Sequence, residues 1–416
     1  PRMYTTWHAD FEKLSHDGIL GHLDHLKQTG LDQSINAFQI DDGYQQHWGD
    51  WLTTSAQFGT DLTTIATEIR ARGFEPGLWL APPLVAADSA IARRHPDWIL
   101  RRDGRPVRCD TCNTRGIKLY VLDFGNDEVT NWLEQTMARL QDAGFSLFKL
   151  DFLATAVAVG ASAATDTTGL DRFHRMLAAI RRGARPGTFL WSATQPLFPT
   201  LGALDGYRVS GDLGFPFFDD LPLANWYHYA RTLALRAPWL NRWGIIDPDG
   251  FFLRGQPDAS RRRTLLWLDA MAGGIYAIGD RDADLSAAHS PSALPQPLRD
   301  GIGTGVSWIP IDPFAYPIRT WTPSPVVEQL ITVDRNTDAQ PPFWFHRCGS
   351  DACVIAVNWA PFQRTVALPA SHLTRFGSGS WTIAESWGNG TLFKSRSELR
   401  FDLPAMGAMA VRLARR

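Results

Sequence analysis

Acidic residues in this chain recur where short apolar runs end. Asp151 closes the run 145–150, and Asp212 ends the run that begins at residue 207. Two facing carboxyl groups can act as nucleophile and general acid/base, the pair that cleavage of a glycosidic bond requires. Lys149 lies two residues before Asp151, on the same side of a strand, and its charge favours the ionised carboxylate of a nucleophile. The simpler explanation for either aspartate is a loop cap or an ion pair.

Three more polar residues stand at similar boundaries. Arg208, four residues before Asp212, is suited to hold a substrate hydroxyl or to tune a nearby carboxyl group. Asp41 and Asp42 follow the apolar run that ends at Ile40. Adjacent carboxylates repel each other unless each has donors, and sugar hydroxyls are suitable donors. A metal-binding pair or a solvated turn is the alternative interpretation.

The tryptophan content is high, with 17 residues in an aromatic fraction of 12%. Indole rings stack on the C–H faces of sugars, although core packing accounts for most tryptophans in most proteins. Trp79 lies near the end of the apolar run 76–81. It is predicted either to stack on a sugar or to pack in the core.

These residues need a scaffold that gathers strand ends at one place. Apolar runs alternate with amphipathic helical stretches at the spacing of βα units. Eight such units in about 280 residues predict a (β/α)8 TIM barrel, whose active sites lie at the C-terminal strand ends. An open doubly wound sheet would more typically carry a G-x-G-x-x-G loop after its first strand, and none occurs there. The predicted strands are 3–9, 35–41, 76–81, 146–152, 189–193, 207–212, 243–246 and 274–278, and the predicted helices are 18–29, 62–72, 128–142, 170–182, 224–236 and 260–271.

The pattern changes after residue 305. A proline-rich stretch at 310–342 leads into alternating apolar runs at 352–359, 364–368, 381–385, 400–403 and 408–413. Such runs predict an antiparallel β-sandwich. We therefore predict a catalytic barrel at 1–305 and a C-terminal β-sandwich domain at 306–416.

Composition excludes several classes of protein. A net charge of −2 and a pI near 6.7 provide no basic face for nucleic acid. No apolar run approaches the roughly 20 residues that span a bilayer, and no apolar leader opens the chain. We expect neither nucleic-acid nor membrane partners, no metal and no cofactor, and leave the oligomeric state open. Since the chain does not begin with Met, we expect it to start inside a gene product.

The four cysteines do not form the pattern of a disulfide scaffold. Cys109 and Cys112 form a CxxC, whereas Cys348 and Cys353 lie far along the chain. Half of a zinc site or a redox pair is one interpretation, but ligand partners at zinc spacing are missing nearby. Buried or loop thiols are the preferred interpretation. A reducing, cytoplasmic location is the corresponding prediction.

Five segments, in order, resemble signatures of family 36 glycoside hydrolases, the melibiase-like α-galactosidases. A further segment at 94–98, RHPDW, also fits the family pattern. The resemblance covers roughly residues 4–280. The five segments are FQIDDGY at 38–44, PGLWLAP at 76–82, FKLDF at 148–152, LGALDGYRVSGD at 201–212 and DPD at 247–249.

This resemblance implies roles for individual residues. Asp151 would form a covalent galactosyl intermediate, and Asp212 would be the general acid/base. The Asp41–Asp42 pair would bind the axial 4-hydroxyl and the 6-hydroxyl of galactose. The remaining implied sugar contacts are Lys149 and Arg208 to ring hydroxyls and Trp7 and Trp79 as pocket walls.

The sequence departs from the family pattern in two places. Many members carry a large N-terminal β-sandwich before the barrel, whereas this chain starts at the first predicted strand. Strand five ends at Ser192 and Ala193, where related sequences often have Cys-Gly. That region shapes the space around the sugar's 2-substituent, so Ser192 is a candidate for substrate binding and selectivity.

The leading hypothesis is a retaining exo-α-galactosidase that acts on small oligosaccharides. One alternative is a related α-glycosidase or transglycosidase, acting on N-acetylgalactosaminides or raffinose-type sugars. Another is a catalytically silent carbohydrate-binding barrel.

Overall fold

A computed structural model describes residues 1–110, 112, 116–164, 167–193, 197–213, 223–256, 258–311, 322–323, 332–333, 341–377 and 379–415. Within these ranges, residues 197, 223–228, 322–323 and 332–333 are described by their backbone only. The proline-rich stretch of the sequence lies mostly outside the described residues.

Eight strands form one sheet in the order β7-β6-β5-β4-β3-β2-β1-β8. Neighbouring strands from β1 to β6 run parallel, as expected of strands joined by helical crossovers. The backbone N–H of Ile275 donates to the carbonyl of Ile246 at 2.8 Å, which links the two edge strands β7 and β8. The predicted (β/α)8 barrel is therefore confirmed. Its strands are β1 Arg2–Thr5, β2 Ala37–Ile40, β3 Glu75–Leu80, β4 Leu147–Leu150, β5 Phe189–Ser192, β6 Gly206–Arg208, β7 Ile245–Asp247 and β8 Tyr276–Ile278.

The crossover helices begin where the sequence supplies capping side chains. Asp61 accepts from two backbone N–H groups of α3, and Thr168 forms a capping box with Asp171 at the start of α6. All six predicted helices are present, with ends shifted by a few residues. The helices are α1 Trp7–Asp10, α2 His16–Gln28, α3 Leu62–Ala71, α4 Ala90–Arg94, α5 Asp127–Asp142, α6 Gly169–Gly183, α7 Leu197–Thr200, α8 Leu223–Leu240, α9 Ala259–Met271 and α10 Gln296–Gly301.

Most observed strands are shorter than predicted, and the first and sixth differ most at their C-terminal ends. The first was predicted to run to residue 9, but it ends at Thr5 because Thr6 adopts a helical conformation and α1 follows. The sixth was predicted to reach Asp212, but it ends at Arg208. A short apolar run does not distinguish a strand from the turn that follows it, so these ends were placed wrongly.

Residue contacts divide the chain into two compact units. One unit comprises Met3–Arg208 with Arg281–Ala283, and the other comprises Pro1–Arg2, Val209–Asp280 and Asp284–Arg416. The first contains the strand ends of β1 to β6. The second contains β7, β8 and the C-terminal sheets. The predicted domain boundary at residue 305 stays a prediction.

The C-terminal part is an antiparallel β-sandwich, as predicted. A five-stranded sheet has the order β9-β10-β11-β16-β13, and a three-stranded sheet has the order β12-β15-β14. Their alternating apolar side chains, among them Phe343, Val354, Phe401 and Leu413, form one buried cluster. The strands are β9 Ile309–Pro310, β10 Phe343–Cys348, β11 Asp351–Val357, β12 Arg364–Pro369, β13 Trp381–Gly388, β14 Thr391–Lys394, β15 Glu398–Leu403 and β16 Ala408–Arg415.

The cysteines are paired. Cys109 forms a disulfide with Cys112, and Cys348 forms one with Cys353, so the prediction of free thiols is wrong. Each bridge joins residues close in sequence, a spacing that a metal half-site shares with a local disulfide. Among the described residues, no helix has the length and apolar character needed to cross a membrane.

Candidate active site

Strand register sets one row of side chains in the first unit. Trp79 pairs with Lys149 on the neighbouring strand, and Lys149 pairs with Trp191. Gln39 and Thr5 are paired in the same way on β2 and β1. Paired residues of parallel strands project to the same face, and alternate residues to the opposite face.

This row faces the barrel interior. Tyr4, on the opposite face of β1, reaches outward to His22 of α2, and their closest polar atoms are 3.3 Å apart. Thr5 therefore points inward, and Gln39, Trp79, Lys149 and Trp191 share its side of the sheet.

Asp41 lies directly after β2 and is held by a buried cluster. Its Oδ2 accepts from the Lys149 ammonium at 2.8 Å and from the Gln39 amide at 3.0 Å. Its Oδ1 accepts the backbone N–H of Asp42 at 2.9 Å. Asp41 and Lys149 are both buried, and a buried ion pair is favourable only when hydrogen bonds satisfy its remaining atoms.

The neighbouring Asp42 has different partners. Its Oδ1 accepts from the Gln45 amide at 2.5 Å and from the Trp48 indole at 3.0 Å. The side-chain Oε1 of Gln45 accepts in turn from the backbone N–H of Gly43 at 3.2 Å. The repulsion expected between adjacent carboxylates is thus offset by a cation beside Asp41 and by neutral donors beside Asp42.

Asp151 follows β4, and each of its oxygens accepts a hydrogen bond. Oδ1 accepts from the backbone N–H of Phe152 at 2.7 Å, and Oδ2 accepts from the indole N–H of Trp79 at 3.2 Å. Trp79 is only 2% exposed, and its ring packs edge-on against Trp48 and Trp51. An indole fixed by packing is a precise donor, so the Asp151 carboxylate has a defined orientation.

The backbone at Phe152 is unusual. Its φ of 53° lies in the left-handed region, which non-glycine residues rarely adopt. The Phe152 ring packs on Trp48 with ring centroids 5.5 Å apart, and a short 3-10 helix, Leu153–Val157, follows. Such strain persists where surrounding structure enforces it, frequently at functional sites. Here it accompanies the hydrogen bond from Phe152 to Asp151.

Asp212 lies in the second unit, on a half-buried loop after β6. Three hydrogen bonds from residues flanking Asp212 reach the segment 247–249: Val209 N–H to the Asp247 carbonyl at 3.0 Å, Ser210 Oγ to the Pro248 carbonyl at 2.6 Å, and Leu213 N–H to Asp249 Oδ2 at 2.7 Å. Asp249 has a φ of 101°. The segment 247–249 therefore fixes the loop on both sides of Asp212.

Aspartates cluster in the second unit. Asp247, Asp249 and Asp269 are all buried, and the Tyr229 hydroxyl donates to Asp269 at 3.3 Å. Burial, and then the negative charge of Asp247, raises the pKa of Asp269 well above its usual range. Among the described residues, no group of three or more His, Cys, Asp or Glu is arranged to hold a metal ion.

Three other predicted site residues have distinct environments. Arg208, the last residue of β6, is buried and shares the face of Trp191, which pairs with Gly206 two residues earlier. Trp7 is half-buried on α1 rather than on the strand, and its ring lies 4.5 Å from that of Phe11. Ser192 pairs with Leu150 and so projects to the face opposite that of Trp191.

The sequence pattern predicts no role for four residues of this region: Gln39, Gln45, Trp48 and Trp191. The first three lie within or just after the segment FQIDDGY, and alternation along β2 puts Gln39 on the side of Asp41. Trp191 differs from the predicted Ser192 by one position. Only the register of β5 against β4 decides which of the two faces the interior.

Comparison with known proteins identifies relatives of this chain. Residues 1–182 match the Melibiase family model. The α-galactosidase AgaA of Geobacillus stearothermophilus is 24% identical over 190 residues, which are 44% of this chain and 25% of that protein. The chain thus spans about a quarter of the length of this curated relative.

Solved structures extend the similarity beyond the first 182 residues. A Thermus thermophilus α-galactosidase in complex with p-nitrophenyl α-D-galactopyranoside is 31% identical, with a TM-score of 0.59 over 70% of this chain and 60% of that chain. A β-L-arabinopyranosidase of Geobacillus stearothermophilus is only 11% identical, but its fold matches over 100% of this chain and 96% of that chain, with a TM-score of 0.65.

The chain is therefore a (β/α)8-barrel protein with a C-terminal β-sandwich, and the two solved structures named above to which it is similar are glycosidases. Within that class, residues 1–182 are similar to the Melibiase family, and the Geobacillus stearothermophilus relative that matches 190 residues of the chain is an α-galactosidase.

Proposed function

We propose that this chain is a retaining exo-α-galactosidase that hydrolyses terminal α-D-galactosides of small oligosaccharides by double displacement. The observation that carries this proposal is the end of β4. There, the Asp151 carboxylate is oriented by Trp79 and Phe152, while Lys149 lies two residues earlier beside Asp41. The melibiase family match and the α-galactosidase relatives support the same activity.

In the proposed first step, an oxygen of Asp151 attacks the anomeric carbon of the galactosyl group. The bond from that carbon to the leaving oxygen breaks, and the carboxyl group of Asp212 transfers its proton to this oxygen. A covalent galactosyl–Asp151 ester results. In the second step, Asp212 takes a proton from water, the water oxygen attacks the anomeric carbon, and the ester bond breaks to release galactose with retained configuration.

Sugar recognition in this proposal belongs to the other site residues predicted from the sequence. Asp41 and Asp42 accept hydrogen bonds from the 4- and 6-hydroxyls, which favours galactose over glucose. Lys149 and Arg208 donate to ring hydroxyls, Trp7 and Trp79 bound the pocket, and Ser192 belongs to the region that sets tolerance at the 2-position. The mechanism needs no metal or cofactor, because two carboxyl groups and water balance each step.

The first experiment measures release of p-nitrophenol from the α-galactoside, the α-glucoside and the α-N-acetylgalactosaminide. We expect turnover of the galactoside alone. Turnover of the N-acetylgalactosaminide would favour the related glycosidase, and galactosyl transfer to excess sugar would favour a transglycosidase. Binding without any turnover would identify a silent carbohydrate-binding barrel.

Two variants test the proposed roles of the aspartates. Asp151→Asn should abolish turnover with an unchanged circular dichroism spectrum, since an amide is a poor nucleophile. Asp212→Asn should lose most activity on oligosaccharides but less on aryl galactosides, whose leaving groups hardly need a proton. Full activity of the first variant, or equal loss on both substrates by the second, would contradict these assignments.

We infer the compartment from the state of the cysteines. Disulfides persist in oxidising surroundings and are rare in the cytoplasm. The bridges Cys109–Cys112 and Cys348–Cys353 therefore favour an oxidising compartment over the cytoplasm that was predicted from the sequence.

A further inference from the structure

We propose that Gln39 is a positioning residue for sugar recognition: its amide, fixed between Thr5 and Asp41, holds the Asp41 carboxylate in the orientation that accepts a galactosyl hydroxyl. This inference rests on the proposed function and assigns a role to a residue that does not itself touch the sugar.

A continuous series of buried hydrogen bonds links residues on β1, β2 and β4 to Asp41. The Thr5 hydroxyl donates to Gln39 Oε1 at 2.6 Å, Gln39 Nε2 donates to Asp41 Oδ2 at 3.0 Å, and Lys149 Nζ donates to the same oxygen at 2.8 Å. Gln39 is 1% exposed, and the other three residues are also buried. Without water to compete, each bond restricts the orientation of the next group.

The orientation of the Gln39 amide has only one chemically acceptable solution. Its nitrogen donates to the Ile40 carbonyl at 2.8 Å as well as to Asp41, while its oxygen accepts a hydrogen bond from the Thr5 hydroxyl. A flipped amide would place its oxygen against a carbonyl and a carboxylate, and would leave both acceptors without their donor. The amide therefore presents an N–H to Asp41 in a fixed direction.

Gly77 supplies the space for this arrangement. A Cβ on Gly77 would lie 3.2 Å from Gln39 Cβ and 3.3 Å from Gln39 Cγ, tighter than ordinary packing. Gly77 is paired with Gln39 on the neighbouring strand. The glycine in PGLWLAP is thus explained by the glutamine in FQIDDGY, two segments far apart in sequence.

Lys149 alone does not define the carboxylate orientation. An ammonium group on a flexible chain acts as a point charge that attracts a carboxylate without fixing its rotation. The backbone N–H of Asp42 holds Oδ1, and the planar amide of Gln39 supplies a directional contact at Oδ2. Its loss should leave Asp41 paired with Lys149 and with the backbone N–H of Asp42 but less restrained at Oδ2, so recognition of the sugar should weaken while the fold remains.

The test compares two buried glutamines. Gln39→Met removes the amide but keeps the length of the side chain. Gln141→Met is the matched control, because Gln141 is also buried and also donates twice, to Met137 and Gly183, but does so on α5. We measure melting temperature and kcat and KM for p-nitrophenyl α-galactoside and α-glucoside. Gln39→Met should lower kcat/KM on the galactoside by about 10- to 100-fold, mainly by raising KM. The ratio of kcat/KM for the galactoside to that for the glucoside should also become smaller.

Gln141→Met should change the melting temperature at least as much as Gln39→Met does, yet leave kcat/KM within about twofold of native. Thr5→Val removes the hydrogen bond from the Thr5 hydroxyl to Gln39. It should also lower kcat/KM, and its effect should combine non-additively with that of Gln39→Met. It also provides the test if Gln39→Met fails to fold.

Gln39→Glu adds a readout that a purely structural role would not move. When protonated, the new carboxyl group can donate to Asp41; when ionised, it repels Asp41. Activity of this variant should therefore fall with rising pH relative to native. Native kcat/KM in both Gln39→Met and Thr5→Val, or a native pH profile for Gln39→Glu, would overturn the role of Gln39 but not the proposed function. Absence of turnover in the native chain would overturn the proposed function and this inference with it.

Discussion

At the scale of single residues, the contact between Trp79 and Asp151 is the most directly testable. The indole N–H of Trp79 donates to Asp151 Oδ2 at 3.2 Å. Trp79→Phe keeps most of the ring but removes this donor. We expect kcat for p-nitrophenyl α-galactoside to fall about tenfold, the effect of one hydrogen bond to a charged group.

Trp51→Phe is the matched control for that variant. Trp51 is equally buried and packs on Trp79, but its indole nitrogen has no hydrogen-bond partner among the described residues. Removing this N–H should therefore leave kcat within about twofold of native. If both variants lose activity equally, packing of the indole rings, rather than the hydrogen bond to Asp151, is what matters.

Single residues also show which parts of the site could be predicted from the sequence. Apolar runs that end in Asp41, Asp42 and Asp151 correctly predicted acidic strand ends. Nothing in those runs distinguishes Ser192 from Trp191, because a one-residue change of register exchanges the faces of a strand. The role of Gln39 depends on Thr5, which is 34 positions away in the chain and becomes adjacent only when β1 and β2 pair.

At the scale of elements, the loop after β6 depends on the segment after β7. Asp249 accepts the backbone N–H of Leu213, one residue beyond Asp212, and holds a φ of 101°. Asp249→Gly removes the acceptor while tolerating this φ, and Asp249→Asn keeps an oxygen acceptor with moderate tolerance of positive φ. The two variants therefore separate the hydrogen bond from backbone strain.

Asp249→Gly should reproduce the leaving-group pattern of Asp212→Asn, because a mobile loop would misplace Asp212, the proposed general acid. We expect at least a tenfold loss of kcat/KM on an α-galactosyl disaccharide and a smaller loss on aryl galactosides. Asp249→Asn should stay close to native on both. A uniform loss on both substrates would mean that Asp249 supports the fold without positioning Asp212.

The elements also explain why some boundaries were predicted and others were not. Helices α3, α5, α6 and α9 each begin at a side chain that caps them, and such residues are visible in the sequence. The ends of β1 and β6 carry no comparable signal. The pair Cys109 and Cys112 was misassigned for a similar reason, since a CxxC spacing suits a thiol pair, half a metal site or a local disulfide.

At the scale of the whole molecule, one buried histidine couples stability to pH. His22 of α2 lies between Asp10, with Nε2 to Oδ2 at 2.6 Å, and Asp282, with Nδ1 to Oδ1 at 2.5 Å. Burial lowers the pKa of His22, but hydrogen bonds and charge from the two aspartates outweigh it and raise this pKa to about 9. His22 thus joins α2 to residues on both α1 and the segment after β8.

The direction of the pH effect follows from the raised pKa. A protonated His22 favours the folded chain, so its contribution is complete below the unfolded pKa of about 6.5 and is lost as pH rises through about 9. A change of this size corresponds to about 3 kcal/mol, and solvent screening at the partly exposed Asp282 reduces it to about 2 kcal/mol. The free energy of unfolding should fall by that amount between pH 6 and pH 10.

Urea unfolding of the native chain and of His22→Gln at pH 6, 8 and 10 measures this contribution, because the neutral amide cannot titrate. The difference in unfolding free energy between the two proteins should be largest at pH 6 and shrink towards pH 10. His16→Gln is the matched control: His16 lies on the same helix and pairs with Glu68 at 2.6 Å, but both side chains are partly exposed. If the difference in unfolding free energy between the native chain and His22→Gln stays constant across the three pH values, the cluster stabilises the fold by packing rather than by charge.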